Sequence, residues 1–346
     1  MTSTIDAWAI LEKLGLLAAI AAIVSAVLIV GLRPLLVRYA LARPNARSSH
    51  DRPTPQGGGI AVIGATIIVV AGAVAFAPDL SNDPLRLAAV LASIVGLAVV
   101  GATDDVRPLE ALPRLLLQAA AVAAVIATLP AEMRIIPALP WWFERACILI
   151  GGIWFVNLVN FMDGIDWMMV VEVVPITAGL GFFGLLGALP WDATVVSLAL
   201  FGAIIGFAPF NRPVARLFLG DVGSLPIGLL TGWLLVLLAG RGHLAAALLL
   251  PLYFLADSTV TLARRLANRE PVMQAHRSHF YQRARDGGFT VYQIIGRVFA
   301  ANLILVGLAA VTLLSASFVI HVAAFAAGCA LVGALLWNFN SAYRSK

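Results

Sequence analysis

The chain has 346 residues, of which 61% are hydrophobic and only 12% charged, and its formal charge is +5. A soluble domain carries about twice that charged share, so this composition and a mean hydropathy of +0.95 exclude an ordinary soluble fold. Its two cysteines, Cys147 and Cys329, lie far apart in apolar runs, which excludes a disulfide framework or a thiolate metal site and makes both read as core filler.

The chain opens with "MTSTIDAWAILEK", acidic before it is basic, and Lys13 is its only positive side chain. That pattern predicts a retained first span rather than a cleaved leader. Apolar runs then recur near 9–32, 57–77, 85–103, 112–130, 143–162, 167–189, 193–210, 222–240, 243–263, 291–313 and 316–338. Each has roughly the length a bilayer core demands of a helix. The expected fold is therefore all-α, a polytopic integral membrane protein of about eleven transmembrane helices forming one transmembrane domain over 1–346.

Orientation follows from where Lys and Arg fall. One set of connections, with the C-terminus, holds 17 of the 23 positive side chains; the other holds five, and Arg297 sits inside a span. The rich side is expected to be cytoplasmic, leaving the N-terminus outside and the C-terminus inside. Its connections are 33–56, 104–114, 160–167, 211–223 and 264–290. The net charge is thereby explained by topology and contact with anionic membrane lipid, and no nucleic-acid partner is implied.

The same five connections carry the informative polar residues. "GATDDVRPLEALPR" brings Asp104 and Asp105, and "NLVNFMDGIDW" brings Asn157, Asn160, Asp163 and Asp166. "NRPVARLFLGDVGS" brings Asn211 and Asp221, "AHRSHFYQRARDGG" brings His276 and His279, and "RSSHDRPTPQGGGIAV" holds Arg52 and Gly58. One acid at such a place merely solvates a helix end. Charge is costly near hydrocarbon, however, and five connections delivering it to one face predict a site. Spacings of three would put Asn160, Asp163 and Asp166 on one helix surface, with Gly164 letting backbone approach a ligand.

Carboxylates and amides at a membrane surface suit a hard divalent cation, Mg²⁺ or alternatively Mn²⁺, which takes one or two carboxylates and fills its shell with water and phosphate oxygens. The glycines beside Asp221 would let backbone N–H groups reach a phosphate. No G-K-[ST] follows Gly57–Gly59, so the P-loop pattern is not met.

"TPQGGGIAV", "GATDDVRPL", "NLVNFMDGID", "ARLFLGDVGSLPIG" and "HRSHFYQR", in this order, resemble the polyprenyl-phosphate N-acetylhexosamine-1-phosphate transferases of glycosyltransferase family 4, over roughly residues 30–300. The resemblance implies a bacterial inner-membrane enzyme whose active site faces the cytoplasm. Its implied reaction transfers an N-acetylhexosamine 1-phosphate from a UDP-sugar to undecaprenyl phosphate, gives UMP, requires Mg²⁺ and starts a surface glycan such as O-antigen. It implies Asp221 as metal ligand, with Asp104 contributing and also deprotonating or orienting the lipid phosphate beside Asp105. Asn160, Asp163, Gly164 and Asp166 would stand on the nucleotide side, with Phe218 near the uracil and Asn211 close by. His279, Arg277 and Arg283 would meet phosphate charge, and Arg52 and Gly58 would complete substrate binding. A homodimer is among the assemblies open to such a chain.

Two departures from the family stand out. Its H-x-H-H tract reads "HFYQ" here, keeping only His279, and the small residue after D-G-x-D is Trp167. Both argue against the muramoyl-pentapeptide branch. Asp257 lies seven residues before Arg264 and reads as its ion-pair partner; Glu172 has no evident partner. The competing reading is an ion- or proton-coupled transporter, which would gather such groups near the bilayer midplane.

Overall fold

The computed structural model describes residues 2–42, 53–81, 83–271 and 276–344. In chain order the helices are α1 (Thr2–Tyr39), α2 (Gly58–Phe76), α3 (Pro84–Val106), α4 (Ala111–Ala127), α5 (Trp141–Met162), α6 (Met168–Leu185) and α7 (Trp191–Phe207). They continue as α8 (Asp221–Gly240), α9 (Leu244–Leu249), α10 (Leu252–Ala267), α11 (Phe280–Asp286), α12 (Val291–Leu313) and α13 (Phe318–Arg344).

Eight of these, α1, α2, α3, α5, α6, α8, α12 and α13, are long and apolar enough to cross a membrane. Two more of the expected spans are the shorter apolar helices α4 and α7. The run at 243–263 is not one helix: α9 stops at Leu249 and α10 begins at Leu252. Pro251 stands in the break, and without an N–H it cannot continue the ladder. The eleven expected spans thus resolve into eight long helices, two short ones and one broken pair.

The core is built around α6 and α8, whose most apolar windows are 78% and 83% buried, against 22% for α13 at the periphery. Between α1 and α7 the packing is especially close. A side chain on Gly202 or Gly206 would overlap the carbonyl of Ala18 or Ala22 respectively, the small-xxx-small contact by which membrane helices approach. Local signals end the helices as chemistry predicts: Thr290 and Gln293 exchange side-chain-to-backbone bonds of 3.2 and 2.9 Å at the start of α12, a capping box. Cys147 and Cys329 are exposed, so they are not core filler; a thiol is apolar enough for a helix face turned away from the protein.

Two short strands, β1 (Leu41–Ala42) and β2 (Thr54–Pro55), pair antiparallel, with Leu41 opposite Pro55. Next to them Gln56 bridges to Phe218. This clasp ties the start of α2 to the loop that leads into α8.

Candidate active site

The site begins where three helix ends meet. Asp105, in the last turn of α3, accepts the first two N–H groups of α8 across more than a hundred residues: Asp221 N at 3.0 Å and Val222 N at 3.1 Å. Those donors have no intrahelical partner, and a carboxylate also complements the helix dipole. Gly220 makes the approach feasible. Its φ is +78°, and a Cβ there would stand 2.6 Å from the Asp105 carboxylate. The Asp105 carbonyl accepts from Gln56 Nε2 at 3.0 Å.

The glycines around Asp221 therefore have a packing role. Any side chain on Gly59 would strike Gly223, and one on Gly101 would strike the Asp221 carbonyl. Gly58 donates its N–H to the Phe218 carbonyl at 2.9 Å, and a Cβ on it would sit 2.6 Å from the Phe207 ring. Phe218 itself is half-buried, and its N–H reaches the Pro55 carbonyl at 2.8 Å. In this structure Gly58 and the Phe218 backbone build the junction of α2 and α8.

With its own N–H held by Asp105, Asp221 turns its carboxylate towards α5. Asn160 Nδ2 donates to Asp221 Oδ1 at 2.8 Å and to Ser224 Oγ at 2.9 Å. On the other side the Asp104 and Asp221 carboxylates stand within hydrogen-bonding reach of each other. Asp104 is also fixed by Arg114 Nη1 at 2.7 Å and by the Leu109 N–H at 2.6 Å.

Two carboxylates in such contact demand a shared proton or a cation. Among the described residues no three of His, Cys, Asp and Glu gather to hold an ion by themselves. A pair of carboxylates beside an amide instead fits the sparse protein shell of Mg²⁺.

The Asn160–Asp166 segment is not one helix face. α5 ends at Met162, and Asp163 is its C-cap with φ −80° and ψ 55°; the helix therefore stops before the three-residue spacing can align these acids. Lost hydration and then the Asp105 and Asp166 carboxylates push Asp163 up to about 7. Asp166 is buried and accepts the Ala215 N–H at 3.0 Å. Trp167 takes a left-handed backbone, φ 61°. Asn211 steadies it, accepting the Trp167 N–H at 2.8 Å and donating to the Leu217 carbonyl at 3.0 Å. The Trp167 indole donates to the Ala208 carbonyl at 2.6 Å. Asn211 thus joins the loops before α6 and α8.

The central part of the chain, residues 87–239, matches the sequence profile of glycosyl transferase family 4. Among curated relatives, the probable undecaprenyl-phosphate N-acetylglucosaminyl 1-phosphate transferase of Bacillus subtilis is 26% identical over 313 residues, 82% of this chain and 84% of its own. The decaprenyl-phosphate N-acetylglucosaminephosphotransferase of Mycolicibacterium smegmatis is 31% identical over 64% of this chain and 59% of its own. The phospho-N-acetylmuramoyl-pentapeptide-transferase of Enterococcus faecalis is 38% identical over a shorter stretch, 25% of this chain and 26% of its own. The match to glycosyl transferase family 4 spans residues 87–239, a little under half of the chain. The resemblance read from the motifs holds.

The matched segment runs from α3 to the end of α8 and contains Asp104, Asp105, Asn160, Asp163, Asp166, Asn211 and Asp221. The α10–α11 segment lies beyond it, and there the expectations need correction. Asp257 does not pair with Arg264. Its Oδ1 lies 3.1 Å from His279 Nδ1 and accepts the Phe280 N–H at 3.0 Å, and its Oδ2 accepts the Tyr281 N–H at 3.2 Å. Arg264 instead stacks over the Phe280 ring at 5.4 Å. Seven residues is a workable helical spacing, but α11 brings a closer set of donors.

His279 is buried, stacked on Tyr281 with ring centroids 5.8 Å apart, and the Phe161 ring at the end of α5 is 6.2 Å away. Arg277 pairs with Asp286 at 2.8 Å. Arg283 donates to the Ser278 carbonyl and to Asn340 on α13, both at 3.1 Å. These two arginines hold α11 in this structure. Arg52 lies outside the described residues.

Sequence reasoning missed Ser224, Gln56, Tyr281 and the hub role of Asp257. For α11 a signal existed: His279 and Gln282 have capping-box spacing, and the His279 N–H does donate to Gln282 Oε1 at 3.2 Å. Glu172 also gains a partner, Asn302 Nδ2 at 2.6 Å, which no local pattern could reveal.

Proposed function

We propose that this chain transfers a sugar 1-phosphate, an N-acetylhexosamine 1-phosphate, from a UDP-sugar to polyprenyl phosphate at the cytoplasmic face of a bacterial inner membrane. A phosphate oxygen of the lipid forms a bond to the β-phosphorus of the donor. The bond from that phosphorus to the bridging oxygen breaks, and UMP leaves. The observation that carries this reading is the Asp104–Asp221 carboxylate pair with Asn160 beside it, inside the segment that matches family 4. The names of the relatives supply the reaction class.

Asp221 and Asp104 would hold Mg²⁺, which when bound offsets charge building on the transferring phosphoryl oxygens. Asn160 orients the Asp221 carboxylate, and Arg114 fixes that of Asp104. The oxygens of Asp104 are held by Arg114 and the Leu109 N–H. Asp163, held near 7, rather than Asp104 is therefore suited to accept a proton from the incoming lipid phosphate. Asp166, Asn211 and Trp167 shape the donor side. The cytoplasmic assignment is supported by the Lys and Arg asymmetry. The altered "HFYQ" tract and Trp167 support a product that initiates a surface glycan such as O-antigen. The relatives are named as transferases, which leaves the coupled-transporter reading without support.

The test is incubation of the purified protein with undecaprenyl phosphate, Mg²⁺ and a panel of UDP-N-acetylhexosamines, with UMP release measured. At least one donor should give UMP and a lipid diphosphosugar. No UMP from any donor, with the protein still folded, overturns the proposal.

A further inference from the structure

We propose that Tyr281 is a positioning residue whose hydroxyl sets the turn carrying Asp163. Tyr281 is wholly buried, and burial above all, with the charges of Asp257 and Asp163, holds its phenol far above the usual value. The hydroxyl is thus a donor throughout the working pH range, and a buried donor needs an acceptor. It finds the Phe161 carbonyl at 3.1 Å. That carbonyl belongs to the last turn of α5, where helix carbonyls lack intrahelical partners.

Gly164 completes the fit. Its φ is not in the left-handed region, so no backbone conformation requires glycine there. What requires it is space: a Cβ on Gly164 would overlap the Tyr281 hydroxyl oxygen and stand 2.9 Å from the ring carbon bearing it. The glycine read from sequence as an opening for a ligand is filled by the protein's own tyrosine. Tyr281 is anchored at its other end by its N–H on Asp257 and by its ring on His279. The residue is therefore a strut between α11 and the end of α5, and Asp163 follows Phe161 by two residues.

What the turn does for catalysis rests on the transferase reading; the strut does not. Four proteins test both: wild type, Tyr281→Phe, Gly164→Ala and the double variant, each assayed for UMP release and for thermal unfolding in detergent. Loss of one neutral hydrogen bond should lower kcat about three- to tenfold in Tyr281→Phe, with the donor KM within about twofold. Gly164→Ala should lose more, in rate and in Tm. In the double variant the overlap with the oxygen is removed and only the 2.9 Å approach to the ring carbon remains, so its activity should exceed the product of the two single effects by about fivefold or more.

Multiplicative rate losses with additive Tm shifts, or a wild-type kcat in Tyr281→Phe, overturn the strut while leaving the transferase reading intact. Coupled Tm shifts with no UMP from wild type overturn the transferase reading, and with it the catalytic part of this proposal. If Gly164→Ala alone fails to accumulate, its recovery in the Tyr281→Phe background is the expected result. Failure in both backgrounds counts against the strut.

Discussion

The starts of α8 and α11 are built alike and end differently. At each, a carboxylate from another helix takes the first two N–H groups: Asp105 for α8 and Asp257 for α11. Around α11 the neighbours are a histidine, a tyrosine hydroxyl and arginines already engaged with Asp286, Asn340 and the Phe280 ring. Around α8 the neighbours are two further carboxylates, Asp221 and Asp104, with one arginine and one amide between them. In the first cluster the carboxylate is met by His279 and backbone N–H groups, with arginines close by; in the second, three carboxylates share one arginine. An acid's role is decided by what its oxygens already hold, and on the proposed reading the Asp104–Asp221 pair at the α8 junction would take a cation.

The strongest way to break this comparison is Asp221→Asn. It removes the charge that the α8 junction offers to a cation and leaves the backbone cap untouched. UMP release should fall by about a thousandfold or more, and Mg²⁺ dependence should weaken, while the unfolding transition stays near that of wild type. Near-normal turnover would remove Asp221 from the ion site.

Next in size is the contrast between the two caps. Asp257→Ala strands several buried donors at once and should cost about 3 kcal/mol, whereas Asp105→Ala should cost about 1–2 kcal/mol. Thermal unfolding of the two variants side by side checks the order. Equal or reversed losses would mean that the α11 cluster is not the tighter structural unit.

The smallest effect concerns pH. Asp163 is held near 7, above the ordinary carboxylate value of about 4. Its proton is thus bound more tightly in the folded protein. That linkage stabilises the fold fully below about pH 4 and is lost as pH rises through about 7. Catalysis runs the other way, since a proton acceptor must be ionised, so the rate should climb through about pH 7. Asp166→Asn removes one of the two repelling carboxylates and keeps an oxygen for the Ala215 N–H, so the acid limb of the rate profile should move to lower pH. An unmoved limb would take Asp163 out of that role.

Much of the molecule was legible from its residues. The apolar runs located the helices, because bilayer thickness sets a length that sequence can display. The exception, 243–263, failed at Pro251, where one missing N–H outweighs continuous hydrophobicity. The acids of separate connections were expected to gather, and Asp104, Asp105, Asp163 and Asp221 do so, with the Asn160 amide among them. Their individual engagements were not legible. Helical spacing suggested that Asp163 and Asp166 share a surface with Asn160, yet α5 ends first. Spacing likewise offered Asp257 to Arg264, yet donors more than twenty residues away reach it.

By itself, the sequence determined that the chain is an assembly of apolar helices, with its acids confined to a few connections and its positive charge heavily biased to one set of them. Hydrophobicity and charge cost are properties of residues and survive without coordinates. Only the tertiary structure decided which carboxylates cap helices and which face one another, and which glycine admits a tyrosine rather than a ligand. Hydrogen bonds act over about 3 Å, and partners such as Asp105 and Asp221 become neighbours at that range only once the helices have packed.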